Sequence, residues 1–111
     1  MNLTLEQIKE EFRQSKPVCQ EVTGLMQMIS NKTRFRTLCL LAQGEFCVRE
    51  IQEVVDLGDL SSLSHQLRML RLAGLVESSR DGKQIRYRLT DARVKKLIGF
   101  LRREYLEAGK N

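Results

Sequence analysis

The stretch that most constrains this chain is Asp59–Leu89, DLSSLSHQLRMLRLAGLVESSRDGKQIRYRL. Asp59 stands where a helix cap is wanted, and Leu63, Leu67 and Leu70 recur at helical spacing as a stripe to be buried. Ser61, Ser62, Ser64, His65 and Gln66 crowd the first turns with short polar groups, while Arg68 and Arg71 lie off the stripe. Gly74 supplies the left-handed residue that ends such a helix. Leu75–Ser79 then reads as a strand, Asp81-Gly82 as a two-residue hairpin turn, and Gln84–Leu89 as the returning strand. Alternation puts Ile85, Tyr87 and Leu89 on one face of that strand and Gln84, Arg86 and Arg88 on the other. A helix with a hydrogen-bonding front, followed by a cationic hairpin, suits a duplex: the helix enters a major groove and the hairpin lies along phosphates.

The remaining chain reads as support. Thr4 and Gln7 have capping-box spacing, and Leu5, Ile8 and Phe12 form an apolar stripe, so a first helix is expected over Leu5–Gln14. Pro17 interrupts the pattern. A second helix is expected over Cys19–Ser30 with Val22, Leu25, Met26 and Ile29 inward. Asn31 caps a third, Lys32–Gln43, with Phe35, Leu38, Leu41 and Ala42 inward and Gly44 as its stop. Val48–Val55 reads as a short helix with Ile51, Val54 and Val55 apolar, and Asp56-Leu57-Gly58-Asp59 as the turn into the next. Helix, tight turn with glycine, helix is the helix-turn-helix arrangement. Asp91–Glu107 closes the chain as a helix with Val94, Leu97, Ile98, Leu101 and Tyr105 on one side, and Ala108–Asn111 read as frayed. The expected fold class is mainly α, a winged helix-turn-helix with a two-stranded β-hairpin wing.

Leu63-Ser64-His65-Gln66-Leu67-Arg68, Leu70-Arg71, Ala73-Gly74-Leu75-Val76, and Gly82-Lys83 with Tyr87 and Leu89 together resemble the recognition helix and wing of the ArsR/SmtB family of bacterial winged-helix repressors. The likeness covers roughly Gly24–Leu106. It implies a homodimer formed by the first and last helices, so residues 1–30 and 91–107 are assigned to dimerisation, 48–73 to the helix-turn-helix and 75–89 to the wing, all in one domain of 1–111. The interface side chains would be Leu5, Ile8, Phe12, Val94, Leu97, Ile98, Leu101 and Tyr105. The partner is double-stranded DNA, met by Ser61, Ser62, Ser64, His65 and Gln66 in the groove. Gln66 is expected to pair bidentately with an adenine edge. Arg68, Arg71, Lys83, Arg86 and Arg88 would meet phosphates or the adjacent minor groove. One departure from the family is the turn Asp56–Leu60, one residue longer than usual, which bears on the angle at which the helix enters the groove.

Charge distribution agrees with this. Arg68–Arg103 carries 11 Lys/Arg and 3 Asp/Glu, a local balance of +8, whereas the rest of the chain sums to −3. A positive field over the groove-binding elements draws in a polyanion. No apolar run is long enough for a bilayer, and no signal-peptide pattern opens the chain, so a cytoplasmic protein without a membrane partner is expected. Three cysteines without a close pair fit reduced thiols rather than a disulfide scaffold.

The family resemblance directs attention to those cysteines, because many members are released from DNA by a metal or a thiol oxidant. Some relatives bind zinc through Asp/His pairs on the last helix; here Asp91-Ala92-Arg93 onward has no histidine. Others use a pattern E-L-C-V-C-D, matched here by Glu45-Phe46-Cys47-Val48-Arg49-Glu50 with the second cysteine replaced. Cys47 and Cys19 are then the metal candidates, for a soft metal ion or metalloid, although two thiolates are thin ligation. A third pattern pairs a cysteine at the place of Cys39 with one that falls here at Leu106. No cofactor is assigned, and the alternative for all three thiols, Cys19, Cys39 and Cys47, is small hydrophobic filler, the preferred reading for Cys39.

Competing classes are weaker. A winged-helix module that binds protein would expose an apolar recognition face, whereas Ser61–Gln66 is polar. A regulator of this family without a small-molecule sensor stays open. An enzyme is not expected: no phosphate loop, H-E-x-x-H or C-x-x-C motif is present, and the single histidine sits inside the helix motif.

Overall fold

The computed structural model describes residues 2–55 and 58–107. Helices α1 (Leu5–Gln14), α2 (Lys16–Ile29) and α3 (Lys32–Leu41) are followed by a short strand β1 (Phe46–Cys47). Helices α4 (Val48–Val55) and α5 (Leu60–Leu72) precede strands β2 (Val76–Asp81) and β3 (Gln84–Leu89). Helix α6 (Ala92–Leu101) runs into a π-helical segment, Arg102–Glu107. The expected mainly α winged helix-turn-helix is what forms.

Local chemistry sets most of these limits. Thr4 and Gln7 close a capping box on α1, and Asn31 accepts from the Arg34 N–H at the start of α3. α2 begins at Lys16, three residues earlier than expected, because Pro17 lies in the first turn, where a missing N–H breaks no intrahelical bond. Val22 and Met26, expected inward on α2, are instead exposed, and only Ile29 of that helix is buried. Val54 is likewise exposed, while Ile51 and Val55 of α4 enter the core. α3 ends two residues before Gln43.

The core is one cluster that joins α3, α4, α5 and α6 through Leu38, Ile51, Leu67, Leu70, Val94 and Ile98, all 1% exposed or less. Burial of such side chains is the main stabilising term. Val94 and Ile98, expected at an interface with a second copy, are instead buried in the chain's own core.

Two further differences concern the sheet and the last helix. The sheet has three antiparallel strands, in the order β1-β3-β2, because Phe46 and Cys47 pair with Tyr87 and Arg86. A two-residue strand is too short to show an alternation. The expected single helix over Asp91–Glu107 becomes α6 capped by Asp91 plus a π turn. The wider π repeat rotates the apolar stripe, so Tyr105 is left 74% exposed and Leu106 lines a cavity against α3. The turn residues Asp56 and Leu57, and the tail Ala108–Asn111, lie outside the described residues.

Candidate nucleic-acid interface

The recognition helix is held at both ends by backbone chemistry. Asp59 accepts the Ser62 N–H at 2.7 Å, and the preceding Gly58 takes φ +110°, a conformation costly for other residues. At the far end the Leu75 N–H reaches the Leu70 carbonyl and the Gly74 N–H the Arg71 carbonyl, with Gly74 at φ +78°. This is the Schellman arrangement that the glycine makes possible. Arg36 in turn caps α4, donating to the carbonyls of Val54 and Val55 at 3.1 Å each. A cation there meets the negative end of the helix. Both helices of the helix-turn-helix are thus fixed on α3 and the core.

With Leu63, Leu67 and Leu70 buried, Ser61, Ser62, Ser64, His65, Arg68 and Arg71 are exposed on α5. Gln66 differs. It is half-buried at the margin of the apolar stripe, and its Oε1 accepts from the Arg34 guanidinium. A guanidinium only donates, so the amide oxygen must face α3. The geometry does not leave the whole amide edge free for adenine.

In the wing, the paired residues flanking the turn are Asp81 and Gln84, so the two-residue loop is Gly82-Lys83, one position later than expected. Gly82 has φ +63°, as the primed hairpin turns require. Thr90 closes the wing's base, bonding to the carbonyls of Leu75 and Gly74. The expected cations have unequal freedom. Arg88 faces Glu77 across the strands and is ion-paired with it, and this hydrogen bond and charge hold the guanidinium pKa above its usual value. Arg86 is half-buried and donates to the Glu45 carbonyl at 3.0 Å. Lys83 at the turn is exposed. Arg80, missed in the sequence, is exposed beside it on β2 opposite Ile85 and has no partner among the described residues. Its position next to Asp81-Gly82 was the available signal.

The three thiols lie on separate elements. Cys19 is exposed on α2, Cys47 is 4% exposed on β1, and Cys39 is intermediate on α3. Cys39 lines a cavity of about 380 Å³ together with Phe35, Arg36, Val54 and Leu106. Burial pushes its thiol pKa up, and Arg102 and Arg36 oppose that shift. Among the described residues, no three Cys, His, Asp or Glu side chains gather as a metal site. No helix there is long and apolar enough to cross a membrane.

Residues 31–78, which span α3 to the start of the wing, match the model of the family described as bacterial regulatory protein, arsR family. The biofilm growth-associated repressor of Xylella fastidiosa is 41% identical over 81 residues, 73% of this chain and 70% of that one. The chain belongs to the arsR family. As such it is a transcriptional regulator with a DNA-binding helix-turn-helix, and the reading as a protein-interaction module gives way. Among solved structures, the transcriptional repressor BigR from Xylella fastidiosa superposes with TM-score 0.76 at 35% identity, over 87% of this arsR-family chain and 95% of that one. A homodimeric winged helix-turn-helix DNA-binding domain from Mycobacterium bovis gives TM-score 0.69 at 29% identity, over 83% and 84%. A putative arsenical resistance operon repressor of Halobacterium salinarum is 36% identical over 76 residues, 67% of this chain and 58% of that one.

Proposed function

We propose that this arsR-family protein is a homodimeric repressor that binds an inverted-repeat operator from the cytoplasm. The observation that carries the reading is the exposed face of α5, with Ser61, Ser62, Ser64, His65, Arg68 and Arg71 free beside a wing tip bearing Arg80 and Lys83. Hydroxyl and imidazole groups can read base edges, and the cations neutralise phosphates. The single domain divides its labour: 48–73 and 75–89 meet DNA, and the terminal segments 1–30 and 91–107 meet a second copy.

Dimerisation is supported by what the protomer leaves uncovered. α1 buries no residue, and Leu5 and Phe12 are 66% and 69% exposed. Val18, Val22 and Met26 form an exposed i, i+4, i+8 stripe on α2, and Phe100 and Tyr105 are exposed at the other end of the chain. Leu97 and Leu101 are half-buried and complete that side. Apolar faces of this extent mark an interaction surface. The Mycobacterium bovis relative, which is homodimeric, supports the same assembly.

A release signal would act at the thiols. Of the three thiols, Cys19 is the exposed one. A soft metal at Cys19 and Cys47 would need further ligands from a second copy, since one protomer's described residues form no cluster. The arsenical-resistance relative keeps such a ligand class in view. Replacing Cys19 and Cys47 with serine should leave a repressor that binds DNA but is not released by arsenite or a thiol oxidant. Release as in the unmodified protein would remove these thiols from the sensing role. The DNA face itself is tested by Arg68→Ala/Arg71→Ala: affinity should fall uniformly across sequences, and the salt slope should flatten by about one for each phosphate that is no longer neutralised. Unchanged binding would refute the face.

A further inference from the structure

Arg34 occupies an unusual position. Its backbone N–H is held by the Asn31 cap at 3.0 Å, its Nε donates to the Met28 carbonyl at 2.6 Å, and its Nη1 donates to Gln66 Oε1. The same Nη1 lies 3.6 Å from Met69 Sδ. One half-buried guanidinium therefore joins the last turn of α2, the start of α3 and the side of the recognition helix. Its fixed fork makes two bonds in two directions at once, which lysine cannot reproduce. α2 also carries the exposed Val18, Val22 and Met26 stripe. The clamp thus links the helix offered to a second copy with the helix offered to DNA.

We propose that the Arg34–Gln66 clamp fixes the separation of the two recognition helices in the dimer, and that Gln66 serves the clamp rather than reading a base. This rests on the dimeric DNA-binding reading above. In a two-fold dimer, the angle of α5 relative to α2 sets where each recognition helix meets the groove. Two helices one DNA turn apart tolerate little error in that angle. Gln66 lies on the margin of the buried stripe, with its oxygen turned to α3, which suits a buttress. Arg34 is accordingly a positioning residue, and selectivity for half-site spacing is the property it controls.

The test measures binding to duplexes that carry two half-sites at the preferred spacing, or with one or two base pairs inserted or removed. The unmodified protein should prefer one spacing by about tenfold or more. Arg34→Met and Gln66→Ala should shrink that preference to about threefold or less, with binding of Gln66→Ala to random duplex and its salt slope unchanged. Gln66→Glu should retain the spacing preference, because a carboxylate still accepts from Arg34. Should Arg34→Met fail to fold, Gln66→Ala decides alone, since a half-buried amide is less costly to truncate. An unaltered spacing preference in Gln66→Ala would overturn the proposal. So would loss of preference at a single base position that Gln66→Glu does not restore, because Gln66 would then be a reader. If the unmodified protein bound DNA with no spacing preference, the dimeric operator reading itself would fall, and the clamp proposal with it.

Discussion

Glu77 and Arg88 stand opposite each other on the wing, and their pairing decides which cation is available to a phosphate. Arg88 is already neutralised, whereas Arg80 and Lys83 are not. Arg80→Ala should therefore weaken DNA binding and lower the salt slope by about one. Arg88→Ala should do less, and Glu77→Ala should tighten binding; titrations over a salt series rank the three. Equal losses for Arg80 and Arg88 would contradict the pairing. Two carboxylates make a separate prediction. The backbone N–H of Arg93 holds Asp91, and that of Cys47 holds Glu50, so both titrate below the usual carboxylate range. The folded state then releases these protons at lower pH than the unfolded chain does. Their stabilisation is complete above the ordinary carboxylate pKa of about 4 and disappears as pH falls through the depressed values. In Asp91→Asn/Glu50→Gln, the acid limb of a thermal-melting profile should flatten. Thiol labelling followed by mass spectrometry should modify Cys19 first, Cys39 more slowly and Cys47 last.

The elements differ in how far the residues announced them. α1, α4 and β3 have the limits that capping residues and periodicity imply, because Thr4, the Ile51/Val55 spacing and the Gln84–Leu89 alternation are local signals. The start of α2 was hidden by Pro17, which ends a helix in one position and begins it in another. β1 exists only through its pairing with β3, and the π turn after Leu101 leaves Leu106 beside Phe35 and Cys39 of α3. Both are tertiary features. The site was legible in part for the same reason. The serines, His65, Arg68 and Arg71 could be placed from helical phase alone, but Gln66 and Arg88 were taken up by Arg34 and Glu77, partners 32 and 11 residues away. The recognition helix depends on its buried stripe, so Leu67→Ala should cost about 2–5 kcal/mol in a denaturant titration. Asp59→Ala, which removes only the cap, should cost about 1 kcal/mol.

As a whole the protomer is extended, 58 × 37 × 22 Å with a radius of gyration of 17.3 Å, against about 13 Å for a compact chain near this size. The extension and the uncovered apolar residues of α1 and α2 belong together, and the proposed dimer would cover both with a second copy. Phe12→Asp/Met26→Asp should shift sedimentation from dimer to monomer while the core, which contains neither residue, keeps its fold. Such a monomer should bind a full operator far more weakly than the dimer. The most direct test of a paired, groove-reading repressor is selection of bound sequences from random duplex DNA by the unmodified protein. The expected product is an inverted repeat whose half-sites are centred about one helical turn apart. Recovery of no enriched sequence, or of a single unpaired site, would contradict it.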